Sequence, residues 1–210
     1  MSLLNNARLV SAHGKQKGFT LIEILITVIV LSIGLLGLAG LQISGLRANI
    51  SSEARSKASL LANDIAERMR TNPLGVQNDD ADADNQYANI STSDQNCNNL
   101  PETFCSNYNN GAAHSAENCT PAEMAVFDAW VWACGMPKAD NVVPEGVTNI
   151  LNEGSGTVAC NDANLADTDD CSPGSSHTIT ISWNELSPNR SAEVTEGQAL
   201  TQNYTLVVVP

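Results

Sequence analysis

The sequence has few aromatic side chains and, beyond residue 70, almost no positive charge. Aromatic residues make up 4% of the 210 residues, which predicts a small hydrophobic core. Residues 71–210 contain two basic residues, Lys138 and Arg190, against nineteen acidic ones, a net charge of −17. Because such a surface repels phosphate groups, we expect no nucleic-acid partner and no attraction of this region to anionic lipid headgroups.

Sequence motifs of common enzymes are also missing. The chain has no H-E-x-x-H, no G-x-S-x-G and no phosphate-binding loop. His114 and His177 lie near no recognisable serine or cysteine nucleophile motif, and His13 falls in the first eighteen residues. We therefore predict that the protein is not an enzyme and has no catalytic residues. A membrane-anchored enzyme is the disfavoured alternative.

The six cysteines contain no C-x-x-C pair and match no zinc-binding spacing. They are Cys97, Cys105, Cys119, Cys134, Cys160 and Cys171. An even number in one region predicts disulfides and an oxidising compartment, with reduced core cysteines or a metal site as alternatives. Cys160 and Cys171 enclose a ten-residue polar loop between two strand candidates, so we expect these two to bond.

The other four cysteines allow three pairings. Cys119 and Cys134 lie at the two ends of a predicted helix, about 22 Å apart, which is too far for a disulfide. Cys119 therefore bonds either Cys105 or Cys97, and Cys134 bonds the remaining one. The shorter loop favours Cys105–Cys119 together with Cys97–Cys134.

A long apolar run follows a short basic segment. Residues 1–18 carry three basic residues and no acid, and residues 19–46 carry Glu23 as their single charge. About 20 apolar residues span a bilayer, whereas an ordinary signal peptide has a shorter apolar region followed by its cleavage site. We therefore expect residues 19–46 to form a transmembrane helix that stays in the mature protein.

The helix is predicted to continue over residues 47–72. Apolar residues recur there at roughly four-residue intervals between polar ones, which is typical of an amphipathic helix with one buried stripe. Asn72-Pro73 predicts the helix end. The stripe consists of Leu46, Ile50, Ala54, Leu61, Ile65 and Met69, with Lys57 as its one break.

Residues 73–210 are predicted to form a disulfide-stapled globular head. Residues 75–118 are loop-like in composition. Thr120 and Glu123 form a capping box that begins a second helix, and Gly135 ends it. Its expected buried face is Met124, Phe127, Val131 and Cys134, and an alternative use of Trp130 and Trp132 is a binding surface.

The end of the chain contains three strand candidates. They are residues 156–160, 177–183 and 203–209, with Ile179, Ile181 and Trp183 alternating with polar residues in the second. A helix followed by strands predicts an α+β fold, in which an antiparallel sheet packs on the second half of the long helix.

The junction between the basic segment and the apolar run has the sequence K-G-F-T-L-I-E. Gly18 has no side chain to obstruct a protease, so we expect cleavage after Gly18 and a new amino terminus at Phe19. Glu23 lies one turn into the helix on the same face, where an unpaired carboxylate in hydrocarbon costs several kcal/mol. We expect the free amine of Phe19, from the same chain or a neighbour, to neutralise this charge, and pairing between subunits would set the axial register of a filament.

This motif and the apolar residues after it resemble the class III signal of type IV pilins and pseudopilins. The resemblance implies that a prepilin peptidase cuts after Gly18 and methylates the amine of Phe19, and that Glu23 acts in assembly. An ordinary signal anchor with a chance Gly-Phe is the alternative. The segments SIGLLGLAGLQ, LRAN and LLANDIAERMRTNP, and more loosely CTPAEMAVFDAWVW, are similar to the PilV type IV pilus modification minor pilins.

The resemblance implies a type IV pilin-like fold and a minor pilin that takes part in pilus assembly, priming or fibre modification. Its implied partners are other major and minor pilins, the prepilin peptidase and the inner-membrane assembly platform. The implied location is the bacterial inner membrane, with one membrane pass and a periplasmic head, and then the pilus fibre at the cell surface. A pseudopilin of a type II secretion system and a pilus-tip adhesin are the alternatives.

No cofactor is expected, and calcium is the one alternative that the acidic residues raise. Asp80, Asp82 and Asp84 have the D-x-D-x-D spacing of calcium loops, but the following glycine and the twelfth-position glutamate are missing. A second acidic cluster consists of Asp162, Asp167, Asp169 and Asp170. Solvated acidic loops are the preferred interpretation of both.

Overall fold

The structure, a computed structural model, describes residues 18–76, 85–109, 113–136, 145–164, 166, 171–186 and 199–210. Residues 1–17 of the predicted leader, Asp80, Asp82 and Asp84, and Asp167, Asp169 and Asp170 lie outside the described residues. The chain divides into two compact units, Met1–Leu46 and Arg47–Pro210. We call the second unit the head unit.

Helix α1 runs from Leu21 to Thr71. In the first unit, large aliphatic side chains cover its whole circumference, and every described residue from 18 to 46 is exposed. By length and composition, α1 is the one helix of the described chain that is long and apolar enough to cross a membrane. The predicted end is correct: α1 ends at Thr71, and Pro73 begins the short helix α2, Pro73–Val76.

The second part of α1 supplies one side of the hydrophobic core. Its buried residues recur at helical spacing and are Ala58, Leu61, Ala62, Ile65, Ala66 and Met69. The predicted stripe is therefore correct from Leu61 onward. It is wrong at its start, because Leu46 and Ile50 are 62% and 65% exposed and core contacts begin at the partly buried Ala54.

A four-stranded antiparallel sheet packs on this part of α1. Its spatial order is β1 (Asn89–Ser91), β4 (Ser155–Asn161), β5 (Ser176–Leu186) and β6 (Ala199–Val208). The three predicted strands are present as β4, β5 and β6, and the α+β architecture is confirmed. In β5, Ile179, Ile181 and Trp183 are buried as their alternation predicts.

The segment predicted as loop-like contains short regular elements. It contributes β1, a 3-10 helix at Thr92–Asp94, and a hairpin of β2 (Tyr108–Asn109) and β3 (Ala113–His114). The prediction for residues 75–118 is wrong at these positions. Runs of two or three residues show no periodicity of their own, and β1 is defined by long-range pairing such as that of Ile90 with Val158.

Helix α3 spans Pro121–Cys134 and begins with the predicted capping box. Thr120 Oγ1 accepts a 3.3 Å hydrogen bond from the Glu123 backbone, and Glu123 Oε2 accepts one of 2.8 Å from the Thr120 backbone. Gly135, with a φ of 79°, ends the helix. The buried surface is wider than predicted: Met124 is partly buried, whereas Asp128, Trp130 and Trp132 are buried. The short helix α4, Val147–Ile150, follows.

Trp132 joins α1, α3 and the sheet. Its Nε1 donates a 2.9 Å hydrogen bond to the Leu61 carbonyl of α1. Its ring lies against Gly156 of β4, where a Cβ atom would approach Trp132 Cη2 to 2.5 Å. Glycine is therefore required at 156 by the close approach of the indole, and the two tryptophans of α3 serve the core rather than a binding surface.

Three disulfides staple the head unit. They join Cys97 to Cys134, Cys105 to Cys119, and Cys160 to Cys171. These are the pairs that the loop lengths and the helical separation favour. The first two lie beside a second core cluster, in which Phe104 packs edge-on against Phe127 and Trp130 with ring centroids 5.4 and 6.2 Å apart.

Candidate functional site

The amino-terminal site consists of Gly18, Phe19 and the first turn of α1. Gly18 to Thr20 are not helical and are exposed. A Cβ atom built on Gly18 meets no atom within 4 Å, and Phe19 is 78% exposed. The peptide bond between Gly18 and Phe19 is thus exposed and outside the helix, as cleavage by a protease requires.

The first turn of α1 is positioned by Thr20. Its carbonyl accepts backbone hydrogen bonds from Glu23 and Ile24 at 3.1 and 3.3 Å. Its hydroxyl lies 3.4 Å from the Glu23 backbone nitrogen, the contact that an N-cap residue makes. Glu23 therefore lies in the first turn, where the unpaired N–H groups of the helix favour a negative charge.

The carboxylate of Glu23 forms no salt bridge among the described residues. Nearby hydroxyls are satisfied within the helix: Thr27 Oγ1 donates to the Ile24 carbonyl at 2.8 Å, and Ser32 Oγ donates to the Val28 carbonyl at 2.7 Å. In an apolar environment these two hydroxyls cost little, whereas the carboxylate needs a cation from elsewhere.

A buried polar network fixes the end of α1 within the head unit. Asp128 of α3 is 4% exposed and accepts from Arg68 Nη1 at 3.0 Å and from the Tyr87 hydroxyl at 2.7 Å. Asn72 Nδ2 lies 3.1 Å from the Tyr87 hydroxyl and donates to the Pro121 carbonyl at 2.8 Å. The network joins α1, α3 and the segment before β1, so the last turns of α1 are fixed by directional bonds as well as by apolar contact.

Burial controls the ionisation of this network. Burial raises the pKa of Asp128 above its ordinary value, although hydrogen bonds from Tyr87 and Arg68 oppose the shift. Burial also raises the pKa of Tyr87, and its hydrogen bond to Asp128 adds to that rise. Tyr87 therefore remains a neutral donor to the carboxylate at any physiological pH.

Sequence reasoning missed the buried hydrogen bonding of Asn72, Tyr87 and Asp128. One signal was present: Asp128 stands between Phe127 and Ala129 in an otherwise apolar helix. An acid on a buried helix face predicts a buried cation or hydroxyl nearby. The identity of those partners depends on long-range packing, which the spacing of residues does not reveal.

Asp162 connects the two ends of the loop that the Cys160–Cys171 disulfide closes. Its Oδ1 accepts from the Ser172 backbone at 2.9 Å, from the Ser172 hydroxyl at 2.6 Å and from the Asn164 backbone at 3.2 Å. These hydrogen bonds, the Ser172 hydroxyl foremost, lower the pKa of Asp162 to about 2. Oδ1 of Asp162 thus already has protein donors, and the other acids of the two calcium candidates lie outside the described residues.

Two known families match adjoining parts of the chain. Residues 13–39 match the prokaryotic N-terminal methylation motif, and residues 40–130 match the Tt1218-like family, described as type IV pilin Tt1218. Comparison with curated proteins and with solved structures gives no significant match. An apolar amino-terminal helix whose second part packs on a four-stranded antiparallel sheet defines the class as pilin-like. The chain belongs to the type IV pilin family, whose members are structural proteins.

Proposed function

We propose that this chain is a minor pilin of a type IV pilus, of the PilV modification type, that takes part in pilus assembly, priming or fibre modification. The main support for the proposal is the structure of the first unit. Its helix is exposed, is apolar on every side, carries the single carboxylate of Glu23 and directly follows the accessible Gly18–Phe19 bond. The Gly-Phe bond and the helix as far as Ala39 fall within the match to the methylation motif. The PilV-like stretches between residues 31 and 73 support the finer assignment.

In this proposal Gly18, Phe19 and Glu23 have separate roles. Prepilin peptidase cuts after Gly18 and methylates the amine of Phe19. The mature chain is anchored in the inner membrane by residues 19–46, with the head in the periplasm, where the three disulfides are stable. Other pilins and the assembly platform then take the helix into the filament, where a neighbouring Phe19 amine neutralises Glu23.

The processing step is tested by mass spectrometry of the amino terminus. The wild-type protein from cells is expected to begin at methylated Phe19, and Gly18→Val to accumulate as the uncut precursor. A Cβ at Gly18 meets no neighbouring atom, so the block arises at the protease and not from misfolding. Gly34→Val, at another glycine with open space around it, is the matched control and is cut normally. Wild-type protein that still begins at Met1 rejects the proposal.

The assembly role of Glu23 is tested separately. Glu23→Ala is expected to insert in the membrane and to be processed, because the helix becomes more apolar, but to be absent from sheared pili. Glu53→Ala removes an exposed acid whose partner is Lys57 at 2.7 Å and is expected to enter pili normally. Recovery of Glu23→Ala in sheared pili at wild-type levels contradicts the charge-pairing argument.

A deletion strain, together with analysis of sheared pili, separates the two alternative functions. A pseudopilin is required for protein secretion and is absent from sheared long pili. A tip adhesin is recovered with pili, and a strain without it assembles them in normal number but fails to bind its target. Loss of pili on deletion, with secretion intact, is the result that our proposal expects.

A further inference from the structure

The far end of the β4–β5 ladder gathers three potential metal ligands around one disulfide. Cys160 lies directly opposite His177 in the antiparallel register, and Cys171 is bonded to Cys160. The Cys171 Sγ lies 3.6 Å from Nε2 of His177. The two sulfur atoms and the imidazole offer ligand atoms that all lie within 4.8 Å of one another.

Asn85 determines which nitrogen of His177 carries the proton. Asn85 Oδ1 accepts a 2.9 Å hydrogen bond from the Tyr87 backbone, which fixes the orientation of the amide. Its Nδ2 then lies 3.2 Å from Cys171 Sγ and 3.2 Å from His177 Nε2. Since the Nδ2 amide group can only donate, Nε2 accepts this hydrogen bond with its single lone pair, which a bound metal ion would take over from Asn85.

His177 is buried at this site, with 1% of its surface exposed. Metal ions bind neutral imidazole and deprotonated thiols, so metal binding here is coupled to the loss of the thiol protons.

The separation of the sulfur and nitrogen atoms fits a tetrahedral zinc site. Bonds of about 2.3 Å to sulfur and 2.05 Å to nitrogen, at the tetrahedral angle, place the two ligand atoms about 3.6 Å apart. That distance equals the observed separation of Cys171 Sγ and His177 Nε2. After reduction, Cys160 Sγ needs to withdraw until the two sulfurs are about 3.8 Å apart, a movement that rotation about the Cα–Cβ bond supplies.

We propose that Cys160, Cys171 and His177 bind Zn²⁺ when the Cys160–Cys171 disulfide is reduced, as in a newly made chain before oxidation. Two molecules of a thiol reductant such as glutathione reduce the bond, yielding one oxidised glutathione and the two protein thiols. Each thiol then loses its proton as it binds the metal. The fourth position is open to water, and Asn85 Nδ2 remains a donor to the Cys171 sulfur, a contact that typically orients a metal-bound thiolate.

The other two disulfides serve as internal controls. Among the residues that the structure describes, neither Cys97–Cys134 nor Cys105–Cys119 belongs to such a group of ligands. Zinc is therefore expected to favour reduction of one pair selectively. Because zinc binds the reduced form of that pair, free zinc at 100 times its dissociation constant raises the apparent equilibrium constant for reduction about 100-fold.

The test uses the full chain in detergent and a glutathione redox buffer, with free zinc fixed by a chelator. Differential alkylation and mass spectrometry measure the reduced fraction of each cysteine pair. We expect zinc to increase the reduced fraction of Cys160–Cys171 and to leave the other two pairs unchanged. No change in any pair, or an equal change in all three, overturns the proposal.

The contribution of the imidazole is tested with His177→Gln, which removes the nitrogen ligand and keeps a polar side chain. The zinc effect on Cys160–Cys171 is expected to weaken at least tenfold, and an unchanged effect overturns the three-ligand site. If this variant does not fold, the reduced wild-type chain is titrated with Co²⁺ instead. The expected spectrum has thiolate charge-transfer bands and the intense visible bands of four-coordinate Co²⁺, and their absence overturns the proposal.

Discussion

From Leu21 to Leu46, helix α1 carries large aliphatic residues on every side and buries none of them. From Ala58 to Met69, the same helix alternates alanine with larger residues and buries six of them. The first stretch is apolar on every side, whereas polar residues such as Asn63, Asp64 and Glu67 separate the buried residues of the second. An apolar stripe beside a polar face packs on the core of the same chain, whereas a helix that is apolar all round leaves its surface to other molecules.

The comparison is tested most strongly by the same substitution in both stretches. Ile65 is fully buried in the core, so Ile65→Ala is expected to lower the free energy of unfolding of the head unit by about 2 to 5 kcal/mol. Ile29 is 58% exposed, and Ile29→Ala is expected to leave that free energy unchanged. Urea unfolding in detergent, followed by tryptophan fluorescence, measures this because all three tryptophans lie in the head unit. Equal losses contradict the distinction.

Glycine-to-alanine substitutions test the same difference between the two units at one position in each. Gly156→Ala places a methyl group against Trp132 and is expected to destabilise the head unit by about 1 to 3 kcal/mol. Gly34→Ala meets no atom within 4 Å and replaces a poor helix former with a good one, so no loss is expected. The same fluorescence assay measures both, and a neutral Gly156→Ala shows that the indole is free to move.

A smaller effect is expected from the hydroxyl that supports the buried end of α1. Tyr87→Phe removes one donor from the buried Asp128 carboxylate, which keeps its bond to Arg68, and is expected to cost about 1 to 2 kcal/mol. Tyr204→Phe is the matched control, because its hydroxyl lies 3.2 Å from Ser59 Oγ in a partly buried site. A loss in Tyr204→Phe as large as that in Tyr87→Phe contradicts the special role of the buried network.

The smallest predicted effect is the contribution of Asp162 to the pH dependence of stability. The pKa of Asp162 is about 2 in the folded chain, below its ordinary 3.8. Its contribution to stability is therefore complete above about pH 4 and is lost as the pH falls from about 4 to about 2. We expect Asp162→Asn to lack this part of the acid dependence in thermal melts between pH 2 and 5. An unchanged acid profile rejects this role.

The elements with local signals could be predicted from the sequence. The capping box is recognised from Thr120 and Glu123, which are three residues apart, and the end of α1 is recognised from Asn72-Pro73. The alternation of buried and polar residues in β5 can be recognised within that strand alone. The cysteine pairs were predicted from the short loops that they close and from the length of the helix between Cys119 and Cys134. In these cases the information lies within about fifteen residues, except that Cys97–Cys134, whose cysteines are 37 residues apart, followed by elimination.

Features that depend on distant contacts could not be predicted. The periodicity of α1 indicated which face is buried, but not that burial begins near Ala54 instead of Leu46, because that depends on where the sheet and α3 provide cover. Strand β1 has three residues and is a strand because it pairs with β4. Glycine is required at position 156 because the Trp132 ring packs against it. At the amino-terminal site, Gly18 and Glu23 stay predictions that the sequence motif of residues 17–23 carries without any distant contact.

The disulfide between Cys97 and Cys134 encloses the one between Cys105 and Cys119. An oxidant that joins cysteines in the order in which a growing chain presents them would connect Cys97 with Cys105, a bond that the folded head does not contain. The native arrangement therefore requires that Cys97 stays reduced until Cys134 is available, or that an early bond is exchanged afterwards, a reaction of seconds to hours. Maturation of this head is thus a matter of timing as well as of sequence.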